Sequence, residues 1–352
     1  MSTNRSTADI EFTLVVPCYN EEDALPHFFA AAIPALETMT QGLWRIICVD
    51  DGSRDRTFEL IAQKHLVDPR VSGIRLSRNF GHQPALATGL AYASGRYVGV
   101  IDCDLQDPID VLASMYRKAV TENLDVCYGV RARRDAPIHL KLGYWAFYRL
   151  IKKAATHPWP EDAGDFCVMT ARCVQMVLSL PEHSRMLRGI RSWIGLKQAG
   201  FPYERPARLH GVSKYNVHRL VLLAMQGLIA FSSIPLRIAG LIGFLMGLFS
   251  LLFALLVLIN RLFPNFTLFG YWIGSGRGTA TIVLFGAVTF SVLFLCLSII
   301  GEYLVVLMEE IKRRPASVVQ TVIGDARLRP HAYGVLEAPD ATTAEPRGGE
   351  TA

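Results

Sequence analysis

Two aspartates one residue apart, Asp102 and Asp104, are the side chains of this sequence best suited to chemistry. They follow residues 97–101, a short run of apolar and β-branched residues that is typical of a buried strand. In an open α/β sheet the ligand crevice lies at the carboxyl ends of the strands, where both carboxylates would be exposed. Paired carboxylate oxygens suit a Mg²⁺ or Mn²⁺ ion that carries a diphosphate. For this pair taken alone, the alternative that it only caps a turn stays open.

Polar side chains also follow the first two predicted strands. Asn20 and Glu21 come after the first strand, and Asp50 and Asp51 come directly after the second. Carboxylates that face one crevice repel each other, so such a cluster requires a metal ion or hydrogen-bond donors that offset the charge. Asp50 or Asp51 could accept hydrogen bonds from a uracil ring or from ribose hydroxyls. Alternatively, each acidic pair caps the helix that follows it.

The elements that position these residues alternate between strand and helix. Strands are predicted at residues 12–16, 46–49, 72–76 and 97–101, with helices between them at residues 23–36, 57–64 and 84–93. This alternation predicts a parallel, doubly wound α/β sheet. A further strand is predicted at residues 124–130 and a further helix at residues 171–180. No Gly-x-Gly-x-x-Gly follows the first strand, which disfavours a dinucleotide-dependent oxidoreductase.

The composition predicts membrane attachment. The chain of 352 residues is 51% hydrophobic, and two runs of 22 uncharged residues each occupy 238–259 and 279–300. As a helix each run would be about 33 Å long, which is enough to span a bilayer. Basic residues cluster after the second run, so the positive-inside rule places the tail in the cytoplasm beside the N-terminal half.

Two further segments, 138–155 and 216–231, combine apolar side chains with basic ones in a helical period. This pattern favours helices that lie in the membrane surface. For 138–155, a core helix with a basic solvated face is the competing interpretation.

Net charge and cysteine spacing exclude other classes of protein. The net charge of +5 is modest; it suits anionic surfaces or substrates, and we expect no nucleic acid partner. The seven cysteines form no Cys-x-x-Cys pair, which disfavours a zinc site or a disulfide framework. We expect no signal peptide before the first strand, because residues 12–16 are too short for its hydrophobic region.

Four motifs in a fixed order resemble those of a known family. They are Val-Pro-Cys-Tyr-Asn-Glu at 16–21, Val-Asp-Asp-Gly-Ser at 49–53, Ser-Arg-Asn-Phe-Gly at 77–81 and Asp-Cys-Asp-Leu-Gln-Asp-Pro at 102–108. They resemble inverting family 2 glycosyltransferases, and within them the polyprenyl-phosphate glycosyltransferases, which include bactoprenol glucosyltransferase and dolichyl-phosphate mannose synthase. The resemblance implies an α/β, GT-A (Rossmann-like, mostly parallel sheet) cytosolic domain, followed by amphipathic interfacial helices and two transmembrane helices.

The resemblance also implies roles for individual residues on the donor side of the reaction. With the strand-end candidates included, the side chains expected to bind a UDP-sugar are Pro17, Tyr19, Asn20, Glu21, Asp50 and Asp51. The residues expected to surround the Mg²⁺ or Mn²⁺ ion are Asp102, Asp104 and Gln106. Asp104 is also a candidate catalytic residue.

On the acceptor side, Arg131 matches a position that faces the acceptor phosphate, although a solvated basic turn is the alternative. Asp165 matches an aspartate often proposed as the catalytic base. Because a phosphate monoester has a second pKa near ~6, the acceptor is mostly a dianion without any base, so Asp165 can instead orient cationic side chains. Arg208, Ser213 and Lys214 belong to a loop that would lie over the diphosphate, with a plain basic loop as the alternative.

The predicted domains are a flexible N-terminus (1–10), a GT-A catalytic domain (11–215), a juxtamembrane amphipathic helix (216–234), a two-helix transmembrane region (235–310) and a partly disordered cytoplasmic tail (311–352). Disorder is expected after about Ser317, where Pro, Ala, Thr and Glu are frequent.

The predicted reaction is inverting transfer of a hexose, glucose first, from a UDP-sugar to undecaprenyl phosphate at the bacterial inner membrane. Residues 185–195, 301–304 and 312–315 resemble the bactoprenol branch. One alternative is an enzyme that transfers mannose or amino-arabinose to a polyprenyl phosphate, and another is a membrane scaffold without catalytic activity. A homo-oligomer is a candidate assembly. A processive polysaccharide synthase is disfavoured, because the sequence has no Arg-Trp dipeptide and only two candidate spans.

Overall fold

The structure is a computed structural model that describes residues 10–131, 163–180, 186–204, 234–262, 278–312, 314–325 and 335–337. The chain divides into two units. One contains residues 1–144, 157–213 and 312–352, and the other contains residues 145–156 and 214–311.

Within the described residues, the first unit is built on one nine-stranded sheet with helices on both faces. Its strands are β1 (Phe12–Cys18), β2 (Trp44–Asp50), β3 (Val71–Leu76), β4 (Tyr97–Val100), β5 (Val126–Arg131), β6 (Ala163–Thr170), β7 (Gln198–Tyr203), β8 (Ser317–Ile323) and β9 (Val335–Glu337). Its helices are α1 (Ala24–Thr40), α2 (Thr57–Val67), α3 (His82–Tyr92), α4 (Ile109–Thr121), α5 (Ala171–Ser179) and α6 (Leu187–Ile194).

The strand order is β7-β5-β6-β4-β1-β2-β3-β8-β9. Strands β4, β1, β2 and β3 are mutually parallel, whereas β6 and β8 run antiparallel to their neighbours β4 and β3. The predicted α/β class with a mostly parallel sheet is therefore confirmed. Sequence analysis did not predict β6, β7, α4 or α6.

The central strands are apolar because helices cover both of their faces. All seven residues of β1 are buried. On one face α1 and α4 supply core side chains such as Phe28 and Met115, and on the other α3 and α5 supply Leu86 and Val174. Helix α3 lies very close to β1, because a Cβ atom on Gly89 would come within 2.3 Å of a Val15 methyl group. This packing brings the start of α3 to the carboxyl ends of the strands.

The expectation of disorder after Ser317 is wrong for two parts of the tail. Residues of β8 pair with β3, from Gly73 opposite Ile323 to Leu76 opposite Val319, and β9 pairs with β8. The strand forms because Val319, Val322 and Ile323 are buried in the sheet's core, a gain that average tail composition does not reveal.

The second unit contains the long apolar helix α7 (Ile234–Leu262) and all but the last residue of a second one, α8 (Gly278–Lys312). Segments Ile238–Leu255 and Phe285–Lys312 have mean hydropathies of 2.4 and 2.3, and both helices are long and apolar enough to cross a membrane. The two helices contact each other, with the rings of Phe253 and Phe285 stacked at 4.5 Å. The predicted surface helices at 138–155 and 216–231 lie outside the described residues.

Candidate active site

The loops after β1 and β2 are joined by hydrogen bonds from backbone to side chain. The Asn20 N–H donates to Ser53 Oγ at 2.9 Å, and the Glu21 N–H donates to Thr57 Oγ1 at 2.9 Å. In return, Asn20 Oδ1 accepts from the Arg54 N–H at 2.9 Å. The Asn20 side chain therefore fixes these loops. Polar partners of this kind hold two strand ends in one arrangement before any ligand binds.

Asp51 holds a third loop, the one that follows β3. Its two carboxylate oxygens accept from the Phe80 N–H at 2.7 Å and the Gly81 N–H at 2.9 Å. Burial raises the pKa of Asp51 even though these two donors oppose the shift. The loop also touches Gly52, where a Cβ atom would lie 2.5 Å from the carbonyl carbon of Arg78. Asp51 thus orders the wall of the site as well as lining it.

Asp50 has a different environment from the one predicted. Its side chain is fully buried, with Oδ1 accepting from the Ser53 N–H at 2.9 Å and Oδ2 lying 3.4 Å from Arg75 Nε. It does not line the cavity described below. Its contacts assign it to holding the β2 turn rather than to binding a nucleotide directly.

The strand ends enclose one cavity of about 260 Å³. The residues lining it are Pro17, Cys18, Tyr19, Glu21, Asp51, Asn79, Gly81, His82, Ala85, Asp102, Cys103 and Asp104. The structure thus brings together four of the six predicted nucleotide residues and both aspartates of the predicted metal pair. Asp102 and Asp104 share a surface with Asp51, as a site for a metal-bound diphosphate requires.

The turn after β4 presents these aspartates by burying the residues between and after them. Cys103 is buried, and Leu105, in a left-handed conformation with φ +55°, packs against the core. A non-glycine residue rarely adopts this conformation, and such outliers cluster at functional sites. Gln106 is buried outside the cavity lining, and its backbone N–H donates to Asp104 Oδ1 at 3.1 Å. In this structure Gln106 supports Asp104.

The acidic pair fits a divalent cation that is shared with a substrate. Burial raises the pKa of Asp102, and nearby carboxylates, including Asp104, raise it further against the opposing effect of His82. A bound cation would relieve that repulsion. Among the described residues, no three His, Cys, Asp or Glu side chains could together hold a metal ion. This pair suits Mg²⁺ or Mn²⁺, since Mg²⁺ commonly takes one or two carboxylates and completes its shell with substrate phosphates and water.

Asp165 lies on β6, the strand next to β4, opposite Asp102. Strands β4 and β6 pair Val100 with Cys167, and continuing that antiparallel register places Asp102 opposite Asp165. His82 lies beside both carboxylates, with Nε2 at 3.8 Å from Asp102 Oδ1 and 3.6 Å from Asp165 Oδ2. Opposed carboxylates repel each other across a sheet, and the imidazole offsets that repulsion when it is protonated.

Gln83 completes the surroundings of Asp165. Its Nε2 donates to Asp165 Oδ2 at 2.6 Å, and its Oε1 accepts from the Leu187 N–H at 2.9 Å. Burial alone would raise the pKa of Asp165, but His82, the positive charge of Arg188 and Gln83 outweigh it and lower the pKa. The contact with Asp165 also raises the pKa of His82, against the effect of its own burial. These contacts favour the ionised form of Asp165 and make it a weaker proton acceptor than an ordinary aspartate.

Sequence analysis missed both His82 and Gln83. The available signal was their position, two polar residues at the start of a small-residue helix directly after the Ser-Arg-Asn-Phe-Gly motif.

Arg131, at the end of β5, lies next to the same segment of β6. Its Nη2 is 3.7 Å from the point where a Cβ atom on Gly164 would lie. Burial would lower the pKa of Arg131, but the neighbouring Tyr203, Asp107 and Asp102 raise it. Tyr203 Oη also donates to Asp107 Oδ1 at 2.5 Å, which ties the turn after β4 to β7. Arg208, Ser213 and Lys214 lie outside the described residues, and their roles stay predictions.

Comparison with known proteins shows which protein family this chain resembles in sequence. The family model described as Glycosyl transferase family 2 matches residues 13–174. The uncharacterized glycosyltransferase YkcC of Bacillus subtilis is 35% identical over 316 residues, covering 90% of this chain and 95% of that protein. The SfII prophage-derived bactoprenol glucosyl transferase of Shigella flexneri is 33% identical over 313 residues, covering 88% and 98%.

Among solved structures, the fold is similar to glucosyl-3-phosphoglycerate synthase from Mycobacterium tuberculosis, with a TM-score of 0.44 and 18% identity, over 62% of this chain and 78% of that one. The family match at residues 13–174 includes every residue that lines the cavity.

Proposed function

Because this chain belongs to glycosyltransferase family 2, we propose that it transfers a hexose from a UDP-sugar to a polyprenyl phosphate, with inversion at the anomeric carbon. Relatives about one-third identical over nearly their whole length are named bactoprenol glucosyl transferases, which makes undecaprenyl phosphate the first acceptor to test and glucose the first sugar. The observation that carries the proposal is the shared cavity, where Asp51 on the nucleotide side meets Asp102 and Asp104.

The donor half of the site suits a sugar nucleotide. Pro17, at the end of β1, and Tyr19 and Glu21, in the loop after it, would contact the nucleotide. Hydrogen bonds to the loop after β2 hold the loop after β1 in place. Asp102 and Asp104 would hold the Mg²⁺ or Mn²⁺ ion. When bound, that ion supplies positive charge for the departing diphosphate. The turn after β4 keeps both carboxylates in the cavity, because Cys103 and Leu105 anchor it to the core.

The acceptor half suits a nucleophile that arrives already ionised. A phosphate monoester carries close to two negative charges at pH 7, so its oxygen can attack the anomeric carbon without losing a proton. The lowered pKa of Asp165 makes it a weak base, and its contacts with His82 and Gln83 support an orienting role. Arg131 would face the acceptor phosphate.

The two long helices support a lipid acceptor. Helices α7 and α8 are apolar enough to span a bilayer, and a polyprenyl phosphate is confined to one. We propose that they span the bacterial inner membrane and keep the catalytic unit and the tail on its cytoplasmic face, where nucleotide sugars are available.

A transfer assay with radiolabelled UDP-glucose, Mg²⁺ and undecaprenyl phosphate tests the proposal. The expected result is labelled lipid, with the rate falling about 100-fold or more for Asp104→Asn, because an amide is a weaker ligand than a carboxylate for the ion that would offset the charge of the diphosphate. Asp110→Asn is the matched control, since Asp110 lies on the exposed face of α4 six residues away. The control should retain the parent rate.

Two outcomes would contradict separate parts of the proposal. Full activity of Asp104→Asn in the presence of EDTA would show that the acidic pair does not hold a required metal. Absence of labelled lipid with every member of a panel of UDP- and GDP-sugars, against both undecaprenyl and dolichyl phosphate, would rule out the acceptor class.

A further inference from the structure

Three arginine side chains converge on the dipeptide Gly164–Asp165 in β6. Arg131 places Nη2 beside Gly164, and Arg191 Nη2 donates to the Gly164 carbonyl oxygen at 3.5 Å. Arg188 lies three residues before Arg191 on α6, so the two side chains leave the same face of that helix. Arg188 is also close enough to Asp165 for its charge to lower the pKa of that carboxyl.

Several N–H groups of this arginine cluster (Arg131, Arg188 and Arg191) are buried without a partner. Within the part of the chain that the structure describes, Nε of all three residues and Nη1 of Arg191 are shielded from solvent and donate no hydrogen bond. A buried charged donor without an acceptor is costly, and native proteins rarely keep one without a reason. Two of these nitrogen atoms, Arg131 Nε and Arg188 Nε, belong to side chains that are only partly buried, and they indicate a place for an anion beside this dipeptide.

The members of the cluster differ in accessibility. Arg191 is fully buried, with its guanidinium 4.8 Å from the centre of the Tyr128 ring, and its backbone oxygen accepts from Gln198 Nε2 at 2.8 Å. It can reach Gly164 but not a ligand in solvent. Arg131 and Arg188 are only partly buried. These two can contact a ligand, whereas Arg191 can fix the backbone under it.

We propose that Arg131 and Arg188 bind the acceptor phosphate over Gly164, and that Arg191 is a positioning residue that holds the Gly164 carbonyl and α6 in place. This inference rests on the proposed function and adds Arg188 and Arg191 to its acceptor half. Guanidinium groups match phosphate oxygens with paired hydrogen bonds.

The competing explanation is that these arginines only stabilise the packing of α6 on β6. The Arg188→Ala variant separates the two, because a lost phosphate contact affects the acceptor alone. The KM for undecaprenyl phosphate is expected to rise about 10- to 100-fold, as for loss of a hydrogen bond to a charged group. The KM for the UDP-sugar should change less than about twofold. Arg172→Ala, an exposed arginine on α5, is the matched control and should leave both unchanged.

The conservative variant and a binding measurement complete the experiment. Arg188→Lys keeps the charge but loses the paired geometry, so its acceptor KM should lie between those of the parent and Arg188→Ala. Binding of undecaprenyl phosphate to the full-length chain in detergent is measured for the same variants by isothermal titration calorimetry. That measurement needs no sugar transfer, and therefore tests the anion site even where the transfer assay detects no product.

The inference would be overturned by Arg188→Ala binding undecaprenyl phosphate as tightly as the parent, or by a rise of both KM values by the same factor. If Arg188→Ala fails to fold, Arg188→Lys decides the question, and an unchanged acceptor affinity in that variant counts against the proposal. A parent chain that binds the lipid phosphate but transfers no sugar would contradict the proposed function and leave the anion site standing.

Discussion

The C-terminal strand β8 offers the sharpest stability test, because the average composition of the tail predicted no structure there. Val319 is fully buried and pairs with Leu76 in β3, which is itself buried. Its neighbour Gln320 is exposed on the opposite face of the same strand. Substituting each by alanine therefore compares a core position with a surface position at the same edge of the sheet.

The expected magnitude follows from the buried area that is lost. Val319→Ala removes two methyl-sized groups at about 0.8 kcal/mol each, and the cavity left behind adds to this, for a total of about 2–3 kcal/mol. For a unit of about 240 residues, each kcal/mol lowers Tm by about 2–4 °C, so a fall of about 4–12 °C is expected. Gln320→Ala should change stability by less than about 0.5 kcal/mol.

Thermal unfolding followed by intrinsic tryptophan fluorescence is a suitable assay, since Trp44 is buried in β2 of the same sheet. Equal Tm values for Val319→Ala and Gln320→Ala would refute the placement of β8 in the core. A related functional effect is also expected. The Ser77 N–H donates to the Val318 carbonyl oxygen at 2.9 Å, immediately before the loop that lines the cavity. Loss of β8 should therefore weaken UDP-sugar binding as well as stability.

Three other predictions concern the site. Asp51→Asn should raise the KM for the UDP-sugar about 10- to 100-fold in the transfer assay, because one of two backbone donors loses its charged acceptor; an unchanged KM would contradict this. Gly52→Ala should lower Tm, because Gly52 has a φ of +67° and the new Cβ atom would collide with the Arg78 backbone. A melting curve like that of the parent would contradict the close approach of the loop after β3 to Gly52.

The third concerns pH. The pKa of His82 is raised above its ordinary value of 6.5, and the pKa of Asp165 is lowered below its ordinary value of 3.8. The stabilisation from their contact is therefore complete between pH 3.8 and pH 6.5, and it is lost as pH rises through the raised pKa of His82 or falls through the lowered pKa of Asp165. The Tm difference between the parent and His82→Gln, worth about 0.5–1 kcal/mol for this partly exposed pair, should shrink between pH 6 and pH 9. A constant difference would contradict the assignment.

Local signals in the sequence were sufficient for the donor half of the site. Strand β1, strand β2 and the turn after β4 each combine an apolar run with polar residues at its end, and parallel strands bring those ends to one edge. The cavity contains Tyr19, Glu21, Asp51, Asp102 and Asp104 as that reasoning predicts. Which of two successive aspartates faces the ligand was not predictable. Asp50 turns into the protein and Asp51 into the cavity because of bonds to Ser53, Phe80 and Gly81.

The acceptor half depends on pairings between distant parts of the chain. Strand β6 inserts between β4 and β5 in the antiparallel sense, and no local pattern near Asp165 specifies that partner. The contact of Gln83 with Asp165 spans 82 residues, and that of Gln83 with Leu187 spans 104. Likewise, β8 forms a strand only because β3 offers it the edge that β2 leaves unpaired. Contacts at such separations are set by the whole sheet.

The boundary between β4 and β6 divides the surroundings of the site by charge, and under the proposed function this division would let two anionic substrates bind side by side. On the β4 side the carboxylates of Asp102 and Asp104 favour a cation, which a diphosphate can share. On the β6 side the arginine cluster favours an anion directly. His82 lies between Asp102 and Asp165, and when protonated it offsets the repulsion between these two carboxylates. An antiparallel β6 is needed for this arrangement, because a parallel strand would carry Asp165 away from the carboxyl end of β4.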